Sequence, residues 1–260
     1  MTIREKESGS KMIEVRERAR LHPVERLRPS LKSLFLAVWR LVRRHPLATI
    51  CAGLIAIDLA FIAIQIAVDA TDYGFNGAYR LSLETEAGVA QFYGWVKAGA
   101  AAFLLYQAWR RYHSPVAGLW AAALTYIGID DALRLHEKLG TFVAERYEIG
   151  EVGSLRGQDI GELIAYGLIL TIAITTLAVA ERRDQGKVPT MLTAIMIPTV
   201  GVFLVFAVVV DTIDRLLPHV LGIAVEDGGE LLMLSVILLI SVVWSHQADE
   251  LAVESRPPES

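Results

Sequence analysis

The chain has 260 residues, of which 53 % are apolar and 21 % are charged, and its net charge at pH 7 is −4. The apolar residues are concentrated in runs of about 20, the length that crosses a bilayer as a helix, so the composition indicates an integral membrane protein. A single cysteine, Cys51, excludes an intramolecular disulfide and a cysteine metal cage. The sequence contains no P-loop, dinucleotide-binding, GxSxG or HExxH motif, and nothing in it resembles a nucleic-acid-binding surface.

Residues 1–45 form a basic segment ahead of the first apolar run, with 12 Lys and Arg against 5 Glu. Within it, residues 31–45 place leucine, phenylalanine and valine on one helical face and arginines at the end. This pattern predicts either an interfacial helix on an anionic inner leaflet or a plain cationic linker. Because the first apolar run begins near residue 47, after this charged segment, no cleavable signal peptide is predicted.

Six apolar runs in residues 46–245 predict an all-α bundle of six transmembrane helices. They cover residues 47–68, 87–109, 116–137, 160–180, 190–213 and 228–245. Lysine and arginine number 18 on one side of this topology and six on the other, with Lys97 inside the second span. The positive-inside rule therefore predicts that both termini are cytosolic in a bacterial inner membrane. The short polar tail, residues 246–260, is predicted to be disordered.

The second half of the transmembrane domain contains an internal repeat. DDALRLHEKLG at 130–140 corresponds to DTIDRLLPHVLG at 211–222, and QDIGELIAYGLIL at 158–170 corresponds to EDGGELLMLSVIL at 226–238. The matched pairs are Asp130/Asp211, Arg134/Arg215, Leu135/Leu216, Gly140/Gly222, Asp159/Asp227, Gly161/Gly229 and Glu162/Glu230. Because the two copies, 116–180 and 190–245, run in the same direction, they are expected to be helical hairpins related by an axis along the membrane normal.

The repeat places many acidic and histidine side chains at the outer ends of the predicted spans. Carboxylates at this depth are unfavourable unless they are paired, hydrated or metal-bound. Oxygen ligands with one or two imidazoles, on facing helices, suit Mn, Fe, Zn or Ca. The sequence therefore predicts a divalent metal site with candidate ligands Asp130, His136, Glu137, Glu162, Asp211, Asp214, His219 and Glu230. On one straight helix, Asp130 and Glu137 would nearly eclipse, whereas His136 would point about 120° away from Asp130.

The same residues also have an ordinary structural interpretation. Asp-x-Gly-Glu at 159–162 and at 227–230 lies where spans 4 and 6 begin, and Asp at the N-cap with Glu at N3 would satisfy free amides there. Arg134 follows Asp130 by four residues, the spacing of a helix ion pair, and the second copy repeats it. A third interpretation gives these carboxylates a role in conducting ions.

Asp58 and Lys97 lie midway along spans 1 and 2, at matching depth. An unpaired charge at the centre of a bilayer is costly, so the sequence predicts a buried Asp58–Lys97 ion pair. The alternative is that the two residues belong to a proton or ion relay.

The phrases LSLETEAGVAQFYGW, WAAALTYIGIDDALRLHEKLG and EDGGELLMLS resemble an uncharacterised family of bacterial multi-pass membrane proteins. Its members carry an acidic residue before the second span, an Asp-acidic-x4-His-Glu phrase, and a late acidic pair followed by Glu. The resemblance extends loosely over residues 80–240, with Asp131 and Asp227 standing where Glu is expected. It implies a shared site, but no reaction, at Glu86, Asp130, Asp131, His136, Glu137, Glu226, Asp227 and Glu230.

Three classes of function stay open, and the sequence does not decide whether the protein is an enzyme. One is a membrane metal-binding protein or metalloenzyme, which a closed carboxylate–histidine cluster under a lid would favour. Another is a proton- or cation-coupled transporter, which a polar cavity running past Asp58 would favour. The last is a structural membrane subunit that binds a membrane partner or a second copy, which splayed carboxylates would favour.

Overall fold

The structure is a computed structural model, and it describes residues 47–70, 78–85, 87–153, 155–184, 187–210 and 218–254. Seven α-helices lie in this part of the chain: α1 Leu47–Ala70, α2 Val89–Tyr112, α3 Pro115–Leu133, α4 Leu135–Arg146, α5 Gly157–Arg183, α6 Lys187–Leu204 and α7 His219–Glu254. A 3-10 turn, Ala78–Leu81, precedes α2, and α6 continues as the π-helix Val205–Val210. The described residues contain no strand, so the predicted all-α class is confirmed.

Five of these helices are long and apolar enough to cross a membrane. The qualifying segments are Thr49–Asp69, Pro115–Leu133, Gly157–Arg183, Thr190–Val210 and His219–His246. Their length and composition fit an integral membrane protein. The helix α2 is 24 residues long but is not one of the five, because polar residues such as Gln91 and Lys97 lower its mean hydropathy.

The observed helices differ from the predicted spans at two places that matter for the site. The predicted third span, 116–137, ends early: α3 stops at Leu133, and Arg134 has left-handed backbone with φ of 51°. The predicted sixth span, 228–245, is only part of α7, which begins nine residues earlier and continues nine residues later, into the predicted tail. The interfacial helix predicted within residues 1–45 lies outside the described residues.

The described helices from Cys51 onward belong to one compact unit. In it α2 packs along α3 and α7, α5 packs against α3 and α4, and α6 packs against α7. Small side chains such as Ala98 and Ala101 line the buried face of α2, where they let the neighbouring helices approach closely. Leu192 of α6 and Ile237 of α7 complete the apolar core, and neither is exposed.

Glycine contacts fix α4 against the start of α5. A methyl group on Gly161 would collide with the carbonyl oxygen of Gly140, and one on Gly140 would lie 2.9 Å from the amide nitrogen of Glu162. The backbones of the two helices therefore touch, which only glycine at these positions permits. In α7, a methyl group on Gly229 would overlap the ring of Phe206, so the matched glycines Gly161 and Gly229 both serve close packing.

Candidate functional site

The site is built on the turn between α3 and α4. The amide of Arg134 donates to the carbonyl oxygens of Asp130 and Asp131, and the left-handed backbone of Arg134 ends α3. The side chains that follow therefore do not continue the helical positions of α3. As a result, Nδ1 of His136 lies 2.9 Å from Oδ2 of Asp130. The prediction of one continuous helix, with Glu137 rather than His136 on the same face as Asp130, is therefore wrong.

Asp130 is only 6 % exposed, and both of its carboxylate oxygens have partners. Oδ1 accepts a hydrogen bond of 3.2 Å from the hydroxyl of Tyr126, one turn earlier in α3. Oδ2 meets His136, whose ring stacks on Tyr166 of α5 with 5.5 Å between the centroids and 26° between the planes. Three helices, α3, α4 and α5, thus fix the orientation of the His136–Asp130 pair.

Three carboxylates lie within electrostatic range of Tyr166. They are Asp130 of α3, Glu162 of α5 and Glu230 of α7. Glu162 is buried and accepts a hydrogen bond of 2.8 Å from the Nε2 of Gln158. We call this group the polar cluster: Asp130, His136, Glu162, Tyr166 and Glu230.

The electrostatics of the polar cluster favour a charged imidazole. His136 lies on α4, outside the five membrane-capable helices. Burial alone would lower its pKa, but the hydrogen bond to Asp130 and the charges of Asp130, Glu162 and Glu137 outweigh burial and raise the pKa above its ordinary value. Because the carboxylate of Asp130 stabilises the protonated form of the imidazole and can itself accept a proton, the pair has the composition of an acid–base dyad.

Asp131, the neighbour of Asp130, serves a different contact. Its Oδ2 accepts a hydrogen bond of 2.7 Å from the indole nitrogen of Trp95 in α2. The two consecutive aspartates therefore tie the end of α3 to α4 on one side and to α2 on the other.

Half of the predicted metal ligands belong to the polar cluster. Glu137 lies beside it, where its Oε1 accepts a hydrogen bond of 2.7 Å from Nε of Arg134 and stands 4.0 Å from Nε2 of His136. The predicted ligands within the cluster are Asp130, His136, Glu162 and Glu230.

The structure places His219 elsewhere. Its side chain is 71 % exposed at the start of α7, where Nε2 lies 3.7 Å from Oε1 of Glu84. It precedes Glu230 by eleven residues of the same helix, or about 16 Å. Asp211, Asp214 and Glu86 lie outside the described residues. Among the residues that are described, no three His, Cys, Asp or Glu side chains are grouped so that they could hold a metal ion.

The capping boxes are not where the sequence predicts them. Helix α5 begins with a capping box in which Arg156 is the N-cap and Asp159 stands at N3, and the box predicted at Asp227 falls inside α7. Helix α5 begins at Gly157, so Asp159 is the third residue of that helix and not its N-cap. Its carboxylate accepts from the amide of Arg156 at 2.8 Å and from the guanidinium of the same residue. Glu162 lies a turn further on, and Asp227 lies eight residues inside α7. Neither glutamate of the repeat therefore caps a helix.

Asp58 and Lys97 form a buried ion pair, as their positions in the predicted spans indicate. Nζ of Lys97 lies 2.8 Å from Oδ1 of Asp58, 2.7 Å from the carbonyl oxygen of Leu231 and 3.1 Å from Oγ of Ser235. Ser235 donates in turn to Oδ2 of Asp58 at 2.6 Å. All three ammonium hydrogens have acceptors, and the network ties α1, α2 and α7 together. Such a closed network favours a structural tie over an ion relay.

The sites predicted from the sequence lacked their aromatic and hydroxyl members. Tyr166 follows Glu162 by four residues and Tyr126 precedes Asp130 by four, so the helical spacing rule was a usable signal for both. Ser235 is the one hydroxyl-bearing residue in the apolar run 231–240, and it lies on the buried face of α7.

A family model described as a domain of unknown function, DUF8692, matches residues 82–244, which is more than half of the chain. The chain belongs to the DUF8692 family. No curated protein and no solved structure matches it. The DUF8692 segment includes the whole polar cluster and Lys97, whereas Asp58, the partner of Lys97, lies in the preceding helix α1. Membership of an uncharacterised family agrees with the resemblance seen in the sequence.

Proposed function

We propose that this DUF8692 protein is an integral protein of the bacterial inner membrane that carries an acid–base site, the polar cluster, at its outer face. The observation that carries the proposal is the 2.9 Å contact between His136 and the buried Asp130, with Glu162 and Glu230 close by. The imidazole can hold a proton and the carboxylates can accept one, which are the two abilities that general acid–base chemistry requires.

Six membrane crossings are part of this proposal. The 24 residues of α2 extend about 36 Å, more than the ~30 Å hydrocarbon core, and its Lys97 is neutralised by Asp58. With α2 counted as a crossing, the excess of basic residues puts both termini and the α2–α3 turn in the cytosol. The same topology puts α4 and the polar cluster at the outer face.

The internal repeat is also part of the proposal. Glu162 of α5 and Glu230 of α7 hold matched positions and both act on Tyr166. The glycines that precede them, Gly161 and Gly229, both lie at close helix contacts. We infer that the hairpins α3–α5 and α6–α7 are equivalent units and that the site lies where they meet, as in other membrane proteins built from repeats.

Metal binding is the competing use of the same side chains. It would require Asp130, His136, Glu162 and Glu230 to gather around one ion such as Mn, Fe, Zn or Ca, and His136 to release its proton. Elemental analysis of the purified protein separates the two uses. A stoichiometric metal ion that is lost in the Glu162→Gln/Glu230→Gln variant would favour the metal site over the acid–base site.

The reaction of His136 with diethyl pyrocarbonate tests the acid–base proposal, because this reagent modifies only the neutral imidazole. Peptide mass spectrometry across a pH series should show His136 becoming reactive only above about pH 6.5, the ordinary pKa of histidine. In Asp130→Asn the onset should move to lower pH, because the charge that holds the proton is gone. The exposed His219 serves as an internal control in both proteins. The same onset for His136 in the wild type and in Asp130→Asn would overturn the proposal.

A further inference from the structure

An open groove of about 1000 Å³ lies between α2, α3 and α5. Its walls are formed by α2 from Trp95 to Trp109, by α3 from Pro115 to Ile129 and by the C-terminal part of α5 up to Arg183. The fourteen residue steps from Trp95 to Trp109 give the groove a length of about 21 Å. This length is about two thirds of the ~30 Å hydrocarbon core, so a membrane would surround the groove along its length.

The groove offers mainly hydrocarbon surface. Phe103 and Val179 line it and are 58 % and 45 % exposed. The lining threonines Thr125, Thr175 and Thr176 each donate their hydroxyl to the carbonyl oxygen four residues earlier in their own helix, at 2.7 to 2.8 Å. Because these donors are already used within the helices, the groove suits an apolar chain and gives little to a polar solute.

Small residues keep the groove deep, and an indole borders one end. A Cβ atom on Gly99 would meet no other atom within 4 Å, so the space in front of this residue is open. At the other end, the ring of Trp109 lies against Gly118, 3.0 Å from where a Cβ atom would stand. The groove is therefore a preformed depression that runs along α2 as far as Trp109.

The end of the groove at Trp109 is basic. Arg183, the last residue of α5, is part of the lining there. Asp184 accepts a hydrogen bond of 2.5 Å from the hydroxyl of Ser114, which holds the end of α5 against the start of α3. Arg110, in the last turn of α2, donates a hydrogen bond of 3.2 Å to the hydroxyl of Tyr106, which also lines the groove. Basic residues at the mouth of an apolar groove between membrane helices are complementary to an anionic lipid head group.

We propose that the groove binds an anionic phospholipid, with its phosphate at Arg183 and an acyl chain lying along α2 toward Trp95. The site is separate from the polar cluster and does not depend on its chemistry. Under the orientation proposed above, Arg183 faces the cytosolic leaflet, whose anionic lipids attract basic residues. At the far end, Trp95 donates to Asp131, so an occupied groove would pack against a residue that holds the end of α3.

Native mass spectrometry of the protein released from nanodiscs tests the head-group part of the proposal. The discs contain equal amounts of phosphatidylglycerol and phosphatidylcholine. The wild type should retain phosphatidylglycerol in preference to phosphatidylcholine. Arg183→Gln should reduce this preference about fivefold, the factor that corresponds to ~1 kcal/mol for one basic residue at an anionic surface. Arg146→Gln, which changes an exposed arginine at the end of α4, should leave the preference unchanged.

Filling the groove tests where the acyl chain lies. Gly99→Phe has room for its side chain and should reduce the retention of both lipids. Gly167→Phe, at an equally open glycine of α5 outside the lining, is the matched control, and thermal unfolding checks that both variants fold. Equal retention of the two lipids by the wild type, or unchanged retention in Gly99→Phe, would overturn the proposal. A wild-type dimer that Gly99→Phe dissociates, without any retained lipid, would assign the groove to a second copy instead.

Discussion

Nδ1 of His136 lies 2.9 Å from Oδ2 of Asp130, across the left-handed turn at Arg134 that separates α3 from α4. The carboxylate raises the pKa of the imidazole, and the ring of Tyr166 stacks on it. A non-glycine residue with positive φ costs free energy, and such residues concentrate at functional sites. We therefore infer that the left-handed turn at Arg134 brings His136 into contact with Asp130.

The pH dependence of stability should report this pair. The pKa of His136 is raised in the folded protein, so the stability that it contributes is complete below about pH 6.5 and is lost as the pH rises through the raised pKa. In thermal unfolding, the wild type should lose its advantage over His136→Gln across that interval. His219→Gln, which changes an exposed histidine, should keep the wild-type profile. Parallel curves for the wild type and His136→Gln would contradict the assignment.

The Asp58–Lys97 pair should be structural. Lys97→Met alone leaves the Asp58 carboxylate buried without its cation and should destabilise the protein by about 3 to 5 kcal/mol. Replacing both, as in Asp58→Leu/Lys97→Met, should recover most of that loss, because no charge then remains in the apolar interior. Unfolding of the three proteins in detergent gives the comparison. A double variant no more stable than Lys97→Met would show that the pair is more than a tie between helices.

The crossing of α4 and α5 should tolerate no side chain at its glycines. Gly161→Ala would push a methyl group into the backbone at Gly140 and should destabilise the protein by about 1 to 3 kcal/mol. Gly167→Ala, in open space on the same helix, should instead stabilise it by up to about 1 kcal/mol, since alanine is the better helix former. Equal stability of the two variants would mean that α4 does not press on α5.

The membrane topology can be tested with reporter fusions in two loops. One fusion lies at the α2–α3 turn, after His113, and the other in the α4–α5 connection, after Gly150. If α3 crosses the membrane once, the first reporter is cytosolic and the second is external. If both reporters lie on the same side of the membrane, the proposed location of the polar cluster at the outer face is contradicted.

Apolar run length was enough to place six of the seven α-helices in the described residues, but it could not place their ends or α4. The runs identify α1 to α3 and α5 to α7, since about 20 apolar residues are obvious in any reading. The end of α3 was missed because Arg134 is neither glycine nor proline, the residues that usually announce a break. The early start of α7 was missed because Glu226 and Asp227 resemble a helix beginning, whereas they lie within the helix.

The site was predictable in its charges and not in its geometry. Asp58 and Lys97 could be paired because both are costly at the same membrane depth. His136 could not be placed beside Asp130 without knowledge of the break at Arg134. The place of Tyr166 in the site depends on the packing of three helices, which puts it within electrostatic range of Glu162 and Glu230. This long-range packing cannot be read from residue spacing along the sequence.

The central claim is that His136 holds a proton through Asp130, and the most direct test is a ¹⁵N chemical-shift titration of the histidine ring nitrogens in detergent micelles. The His136 signals are assigned by their loss in His136→Gln. The midpoint at which the His136 ring loses its proton should lie above about 6.5 and should fall in Asp130→Asn. A midpoint at or below 6.5 in the wild type, or one that Asp130→Asn does not move, would contradict the account.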